Sequence, residues 1–304
     1  MRAENLHVIT AYSNPLRWKS RYNLFKQFQR HMKESGVHLW VVECAYGERP
    51  FELKDSDIND KHHIGVHAET LVWNKECLLN IGLGHLPDDW KYVAWIDADV
   101  TFRNETWAVD TVAALQHYAV IQPWSDCYDL GPHNDHIQHH RSFAHQFWNK
   151  QPVGTGPYTF AHPGYAWAAT RKALDTVGCF IDTGAAGAGD KHMALALVGK
   201  AELSIPKDLT QGYKNPILGW QRNAEALQQN VGFVRGTVEH GFHGPKAKRN
   251  YLQRWEILAR HRFDPSLDLK RNTWGVWELA GNKPGLRLDL QRYFSQRIED
   301  ANTA

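Results

Sequence analysis

The chain is expected to fold as an α/β protein, with a mostly parallel, Rossmann-like central sheet and helices on both faces. Three features of the sequence predict this. Apolar, β-branched and aromatic runs alternate with amphipathic segments from residue 6 to residue 124. One of those runs, YVAWI, ends in Asp97 and Asp99, at the strand edge where parallel sheets bind ligands. The composition is that of a packed globule, with 304 residues, 42% of them hydrophobic and 22% charged.

LHVITAY, residues 6–12, reads as a first strand. Residues 13–36 read as a helix, with Trp18, Phe25, Phe28 and Met32 on its apolar face and Gly36 as its stop. VHLWVVECAYG, 37–47, is a second strand, and 48–66 is polar and loop-like. Residues 68–83 carry Leu71, Val72, Leu78, Leu79 and Ile81 at helical spacing. WKYVAWIDADV, 90–100, is a third strand, 105–118 a helix, and AVIQPW, 119–124, a fourth strand. The alternation then breaks. Residues 125–162 hold His133, His136, His139, His140 and His145, and read as a long loop with a short helix. PGYAWAATRKALDTVG, 163–178, is a strand followed by a helix, and GAAGAGDKHMALALVG, 184–199, a glycine-rich turn entering another. The last third, from about 230, is aromatic and basic. The expected organisation is one compact domain in two halves, 1–125 and 126–304.

Composition excludes several classes. A net charge of +2 makes no global claim for nucleic acid. Cys44, Cys77, Cys127 and Cys179 stand far apart, with no CxxC, which argues against a zinc ribbon or a disulfide framework. Nothing at the N-terminus resembles a signal peptide, and no apolar run is long enough to span a bilayer. A cytoplasmic location is expected. The 13 Trp and 18 His are many for this length; Trp suits stacking on sugars or bases, although many will be core.

Three motifs carry candidate chemistry. On an extended chain residues i and i+2 point the same way, so Asp97 and Asp99 are expected side by side. Two carboxylates that close need a positive charge between them, and a divalent metal is the usual one. The bland alternative is a pair of loop or capping aspartates. In GAGDKH, 187–192, glycines let the backbone turn tightly beside a ligand, and Asp190 stands at a helix mouth as general base or as N-cap. In VEHGFHGPKAKRNYLQRWEIL, 238–258, His240 and His243 precede a basic run. Across 241–262 there are six Lys or Arg against one Glu, a grip for a diphosphate or merely a solvated basic helix.

Taken in order, the N-terminal α/β half, WIDADV, PGYAWAATRKAL with GAGDKHMALAL, and the late HGFHG resemble a glycosyltransferase of the GT-A fold. The middle segment is similar to the galactosyltransferase-like pattern of glycine-rich loop, acidic residue and helix. The tail HGFHGPKAKRNYLQRWEIL with FDPSLDL and GVWEL resembles phage and bacterial members. The likeness spans roughly residues 5–280. It implies Mn²⁺ or Mg²⁺ held by Asp97, Asp99 and His243, and a nucleotide-sugar donor, UDP-linked by preference. Thr10, Tyr12 and Asn14 would meet base and ribose, and Arg17, Arg21, Lys75, Lys246 and Arg249 the phosphates. Asp190 would take the acceptor proton in a single inverting displacement. Tyr165, Trp167, Gly189 and His192 would line the acceptor and sugar, with Trp148 a further stacking candidate. Better-known relatives carry Glu-Asp where this chain has Gly189-Asp190, which leaves Asp182 and Glu239 as alternative bases.

The phage-like tail suggests a hydroxymethyl group on a pyrimidine of double-stranded DNA as acceptor, in a host cytoplasm if the protein is phage-encoded. The basic stretch 246–262, interleaved with Tyr251 and Trp255 and followed by Phe263, would contact phosphates. A saccharide acceptor in surface-glycan synthesis is the alternative. No membrane and no obligate protein partner is implied. The histidines of 133–145 lack the cysteine or HExxH context of a zinc site, and a mobile acceptor loop suits them better. Two other classes stay open. One is a non-catalytic nucleotide-sugar or carbohydrate-binding protein, which would need no base. The other is a sugar-nucleotide pyrophosphorylase, whose N-terminal glycine-rich signature ITAYSNPLRW lacks.

Overall fold

The computed structural model describes residues 2–53, 60–155, 160–245 and 253–300. In chain order it begins with β1 (Leu6–Ser13), α1 (Lys19–Glu34), β2 (His38–Tyr46), β3 (His63–Ala68), α2 (Lys75–Leu83), β4 (Tyr92–Ile96) and β5 (Val100–Phe102). There follow α3 (Trp107–Ala114), β6 (Val120–Gln122), β7 (Asp126–Leu130), β8 (His136–Arg141), α4 (Phe143–Trp148), β9 (Ala166–Thr170), α5 (Arg171–Val177) and α6 (Gly189–Leu197). The chain continues through α7 (Gln211–Ala224), β10 (Val231–Phe233), β11 (Thr237–His240), α8 (Gln253–Arg260), α9 (Pro265–Asp268), β12 (Leu269–Arg271), β13 (Trp277–Leu279) and α10 (Pro284–Ser295).

Seven strands form the central sheet, in the order β10-β6-β9-β4-β1-β2-β3. β4, β1, β2 and β3 are parallel, and so are β6 and β10; β9 alone is reversed, between β4 and β6. Strand alternation sends successive side chains to opposite faces. Ile9, Val42, Val93 and Trp95 join the core with Leu78 and Leu79 of α2 and Leu174 of α5. Leu6, Val8, Ala94 and Ile96 face the other way, onto Phe28 and Met32 of α1 and Trp107 and Val112 of α3. The sheet is thus covered on both faces, as the near-continuous apolar runs of β1 and β4 require.

A second sheet, β5-β11-β7-β8, stands beyond the first. Its strands β7 and β8 lie in the stretch expected to be a long loop. β7 and β8 are polar in sequence, yet Cys127, Asp129 and His140 are buried; β7 alternates, and two of these three inward residues are aspartate and histidine. β3 likewise occupies part of the expected loop 48–66, pairing with β2 from His63 onward. The helix expected over 68–83 begins only at Lys75, because Ala68 completes β3 and Trp73 N–H bonds Ala185 O. Trp18 precedes α1, whose first amides, Lys19 N and Ser20 N, are capped by the Asp300 carboxylate at 3.0 and 2.8 Å. Among the described residues no helix is long and apolar enough to cross a membrane.

Candidate functional site

β4 ends at Ile96 and β5 begins at Val100, so the two aspartates lie on the short link between the sheets. That link is a turn, with Val100 N–H bonded to Asp97 O at 3.3 Å. The expectation that Asp97 and Asp99 stand side by side on an extended chain is therefore corrected. The turn sends them to different corners of one cavity of about 530 Å³. This cavity opens at the carboxyl ends of β1 and β4 and reaches Tyr12, Trp73, Asp190 and Arg254.

At the first corner Asp99 meets two histidines from the end of β11. His243 Nε2 lies 3.1 Å and His240 Nε2 3.6 Å from Asp99 Oδ2, and the two nitrogens are 3.3 Å apart. The three residues are the one group among the described residues with the spacing of a metal centre. Burial pushes the Asp99 carboxyl up, but the adjacent His240 and His243 outweigh it and hold it well below the usual range. Asp99 Oδ1 is buried with no hydrogen-bond partner among the described residues. One carboxylate and two imidazoles suit Mn²⁺ or a similar divalent ion. The end of β11 reaches this corner because Gly241 N–H bonds Asp99 O at 2.8 Å, and a Cβ at 241 would strike Leu24.

At the second corner Lys75, the first residue of α2, supplies the cation itself. Its Nζ lies 2.5 Å from Asp97 Oδ1 and 3.2 Å from Asp190 Oδ2. Burial works against the Lys75 charge, but Asp190 and Asp97 outweigh it and raise its pKa. Asp97 is pushed up to about 6 by burial, against the pull of Lys75. The buried Glu76 is pushed up to about 8, first by burial and then by Asp190, so it is largely protonated at neutral pH. Gly189 makes room for it, since a Cβ there would sit 2.4 Å from Glu76 Oε1. The preceding Ala188 takes φ +81° to turn the chain into α6. That is a left-handed conformation rare outside glycine, and it delivers Asp190 to the cavity.

The remaining expected residues fall into three groups. Tyr12, Arg21 and Tyr165 line the cavity. Tyr12 OH bonds Glu52 at 2.5 Å, Arg21 is paired with Glu299, and the Tyr165 ring stacks on His162 with centroids 4.1 Å apart. Thr10, Asn14, Arg17, Trp167 and His192 stay outside it. Thr10 is fully buried and donates to Ile96 O; Asn14 bridges Trp18 O and Glu52; Arg17 bonds Pro50 O. Trp167 is a core residue of β9 whose Nε1 donates to Pro163 O. His192 is buried against Ser204 and Tyr213, and burial lowers its pKa to about 3, so it is a neutral core histidine and not a sugar contact. Lys246 and Arg249 lie outside the described residues.

The alternative bases are committed elsewhere, Asp182 to Arg271 at 2.5 Å and Glu239 to Arg103 at 2.6 Å. Trp148 is half exposed on α4, away from the cavity. In the histidine-rich stretch, His136 pairs with Glu239 and His139 with Asp126, so these two do not converge on one centre. Sequence reasoning singled out His240 with His243 but assigned only His243 to the ion. It missed Glu76 beside Asp190, and Asp129 and Glu299 behind the histidines, none of which carried a local signal.

No protein-family model matches the chain, and no curated protein matches it significantly. Among solved structures it is similar to the catalytic domain of Drosophila beta1,4-galactosyltransferase 7 in complex with xylobiose. The identity there is 12%, over 91% of this chain and 95% of that one, with a TM-score of 0.40. It is similar also to S. aureus TarS in complex with UDP-GlcNAc, at 10% identity over 97% and 72%, TM-score 0.44. A third is glucosyl-3-phosphoglycerate synthase from Mycobacterium tuberculosis in complex with Mg²⁺ and UDP, at 12% identity over 84% and 76%, TM-score 0.41. At these scores the chemistry of the chain has to be read from its own side chains.

Proposed function

We propose that the protein is a metal-dependent GT-A glycosyltransferase. It moves a sugar from a nucleotide-sugar donor, UDP-linked by preference, to an acceptor hydroxyl with inversion. The observation that carries this reading is the meeting, in one cavity at the carboxyl edge of the sheet, of Asp99, His240 and His243 with Lys75, Asp97 and Asp190. Residues 1–125 would serve the donor and 126–304 the acceptor and catalysis, although β9 and β10 of the second half complete the sheet of the first and His240, His243 and Arg254 reach the donor side.

Asp99, His240 and His243 would hold the ion, which when bound neutralises charge on the departing diphosphate. Arg254, buried over Trp255 and facing the cavity, adds a fixed positive charge for phosphate. Asp97 accepts a hydrogen bond from a hydroxyl of the donor sugar, and Lys75 orients Asp97 and Asp190 together. Asp190 takes the proton from the acceptor hydroxyl as that oxygen attacks the anomeric carbon from the face opposite the leaving group. The stacked Tyr165 and His162 present a flat wall for a sugar ring.

For the acceptor we propose the hydroxymethyl group of a modified pyrimidine in DNA, on the strength of the basic and aromatic run 246–262. A saccharide hydroxyl is the competing reading. It is favoured by the burial of Arg254 inside the fold, which takes one of those cations away from a nucleic-acid face. The test is incubation with Mn²⁺, a panel of UDP- and GDP-sugars, and DNA with or without 5-hydroxymethylpyrimidines, followed by mass spectrometry of the nucleosides. A sugar mass on the hydroxymethyl base, lost in Asp99→Ala, supports the full reading. Nucleoside diphosphate release without a DNA product moves the acceptor to a glycan. Donor binding without turnover marks a binding protein, and failure to bind any donor overturns the proposal.

A further inference from the structure

Both histidines of the Asp99 corner back onto a buried carboxylate. His240 Nδ1 lies 2.7 Å from Asp129 Oδ1, and Asp129 is 1% exposed. An ionised carboxylate only accepts, so the nitrogen is the donor. The pairing is built by strand register, because β7 and β11 run parallel with Asp129 directly beside His240. The same carboxylate accepts from Tyr165 OH at 2.9 Å and from the buried His140. His243 Nδ1 lies 3.3 Å from Glu299 Oε2, a close polar contact short of a fully aligned hydrogen bond. Glu299 is 3% exposed and is gripped in turn by Nε and Nη2 of Arg21, whose Nη1 donates to Ser13 O.

An imidazole that gives its Nδ1 proton to a carboxylate keeps a lone pair on Nε2. Here both Nε2 atoms are turned toward each other and toward Asp99 Oδ2. Three lone pairs then converge on one point, an arrangement stable only with a positive charge among them. We propose that Asp129 and Glu299 are positioning residues that fix the Nε2-facing tautomers of His240 and His243 and so set the affinity of the divalent-ion site. The proposal rests on the metal reading above. It adds to that reading the short segment 297–300, whose Glu299 ties α1, through Arg21, to the ligand His243.

The test is Mn²⁺ titration of the full-length protein, followed by electron paramagnetic resonance and calorimetry. Wild type is compared with Asp129→Asn, Glu299→Gln, Asp99→Ala and Asp268→Asn. The last changes a fully buried carboxylate paired with Lys283 at 2.7 Å, far from the site in contacts, and controls for general loss of stability. The expected result is a dissociation constant raised about 10–100-fold in Asp129→Asn and, less steeply, in Glu299→Gln. Asp268→Asn should lower the melting temperature and leave the constant unchanged. Wild-type affinity in both folded variants overturns the proposal while leaving the metal reading intact. Absence of Mn²⁺ binding by wild type overturns both. If Asp129→Asn does not fold, Glu299→Gln decides alone.

Discussion

The two aspartates of the DxD turn stand two residues apart and solve the same electrostatic problem in opposite ways. Asp97 faces a cation the chain supplies, the Lys75 ammonium, and shares it with Asp190. Asp99 faces two imidazoles, those of His240 and His243. One corner is closed by a lysine; at the other the donor atoms of Asp99, His240 and His243 converge. Like charges at the end of a buried strand therefore do not identify a metal site by themselves. What the comparison separates is a carboxylate met by an ammonium from one met by two ligand-type nitrogens.

That contrast can be broken experimentally. Asp99→Ala should cost most, about 10³–10⁴-fold in kcat with Mn²⁺ affinity lost, since charge stabilisation by a bound ion is worth several kcal/mol. If Mn²⁺ raises the Tm of this variant as much as that of wild type, the ion belongs to the Asp97 corner and the comparison fails. Asp190→Asn should lower kcat about 10²–10³-fold with Mn²⁺ affinity unchanged, as removal of a general base does. Lys75→Met leaves Asp97 and Asp190 without their shared cation. It should cost about 3 kcal/mol of stability in chemical denaturation, the usual penalty for breaking a buried pair. Added Mn²⁺ should not restore it.

The smallest effect sharpens the same corner. Glu76 binds its proton more tightly folded, with a pKa of about 8, than unfolded, near 4.5. Its contribution to stability is full below about pH 4.5 and is lost as pH rises through 8. Glu76→Gln carries no such slope. Its Tm relative to wild type should climb by a few degrees between pH 5 and pH 9 and then level off. A constant difference across that range would show that Glu76 is ionised in the folded protein.

Much of the first half was legible because its strands are buried on both faces. LHVITAY, VHLWVVECAY and YVAWI each read as apolar runs, and Phe25, Phe28 and Met32 marked α1 by spacing alone. The second sheet was not legible. β8 is HIQHHR, with only His140 buried, and no hydropathy pattern separates that from a polar loop. The candidate site divides the same way. Asp99, His243 and Asp190 announced themselves by local spacing. Asp129 and Glu299 lie against histidines 111 and 56 positions away in the chain, and such pairing depends on strand register and on the return of the chain past α10. His192 misled because it neighbours Asp190 in sequence, while the helix turns it into the core.

The cap that Asp300 places on Lys19 and Ser20 has a kinetic consequence. Those contacts span 281 and 280 residues, and the Arg21–Glu299 pair beside them spans 278. Loops of that length close late, after local helices and neighbouring strands have formed. The proposed divalent-ion site should therefore mature last. In refolding from denaturant, far-UV circular dichroism should recover first and the capacity to bind Mn²⁺ only afterwards, as a separate slower phase. The lag between the two signals would time the docking of one short segment against the start of α1.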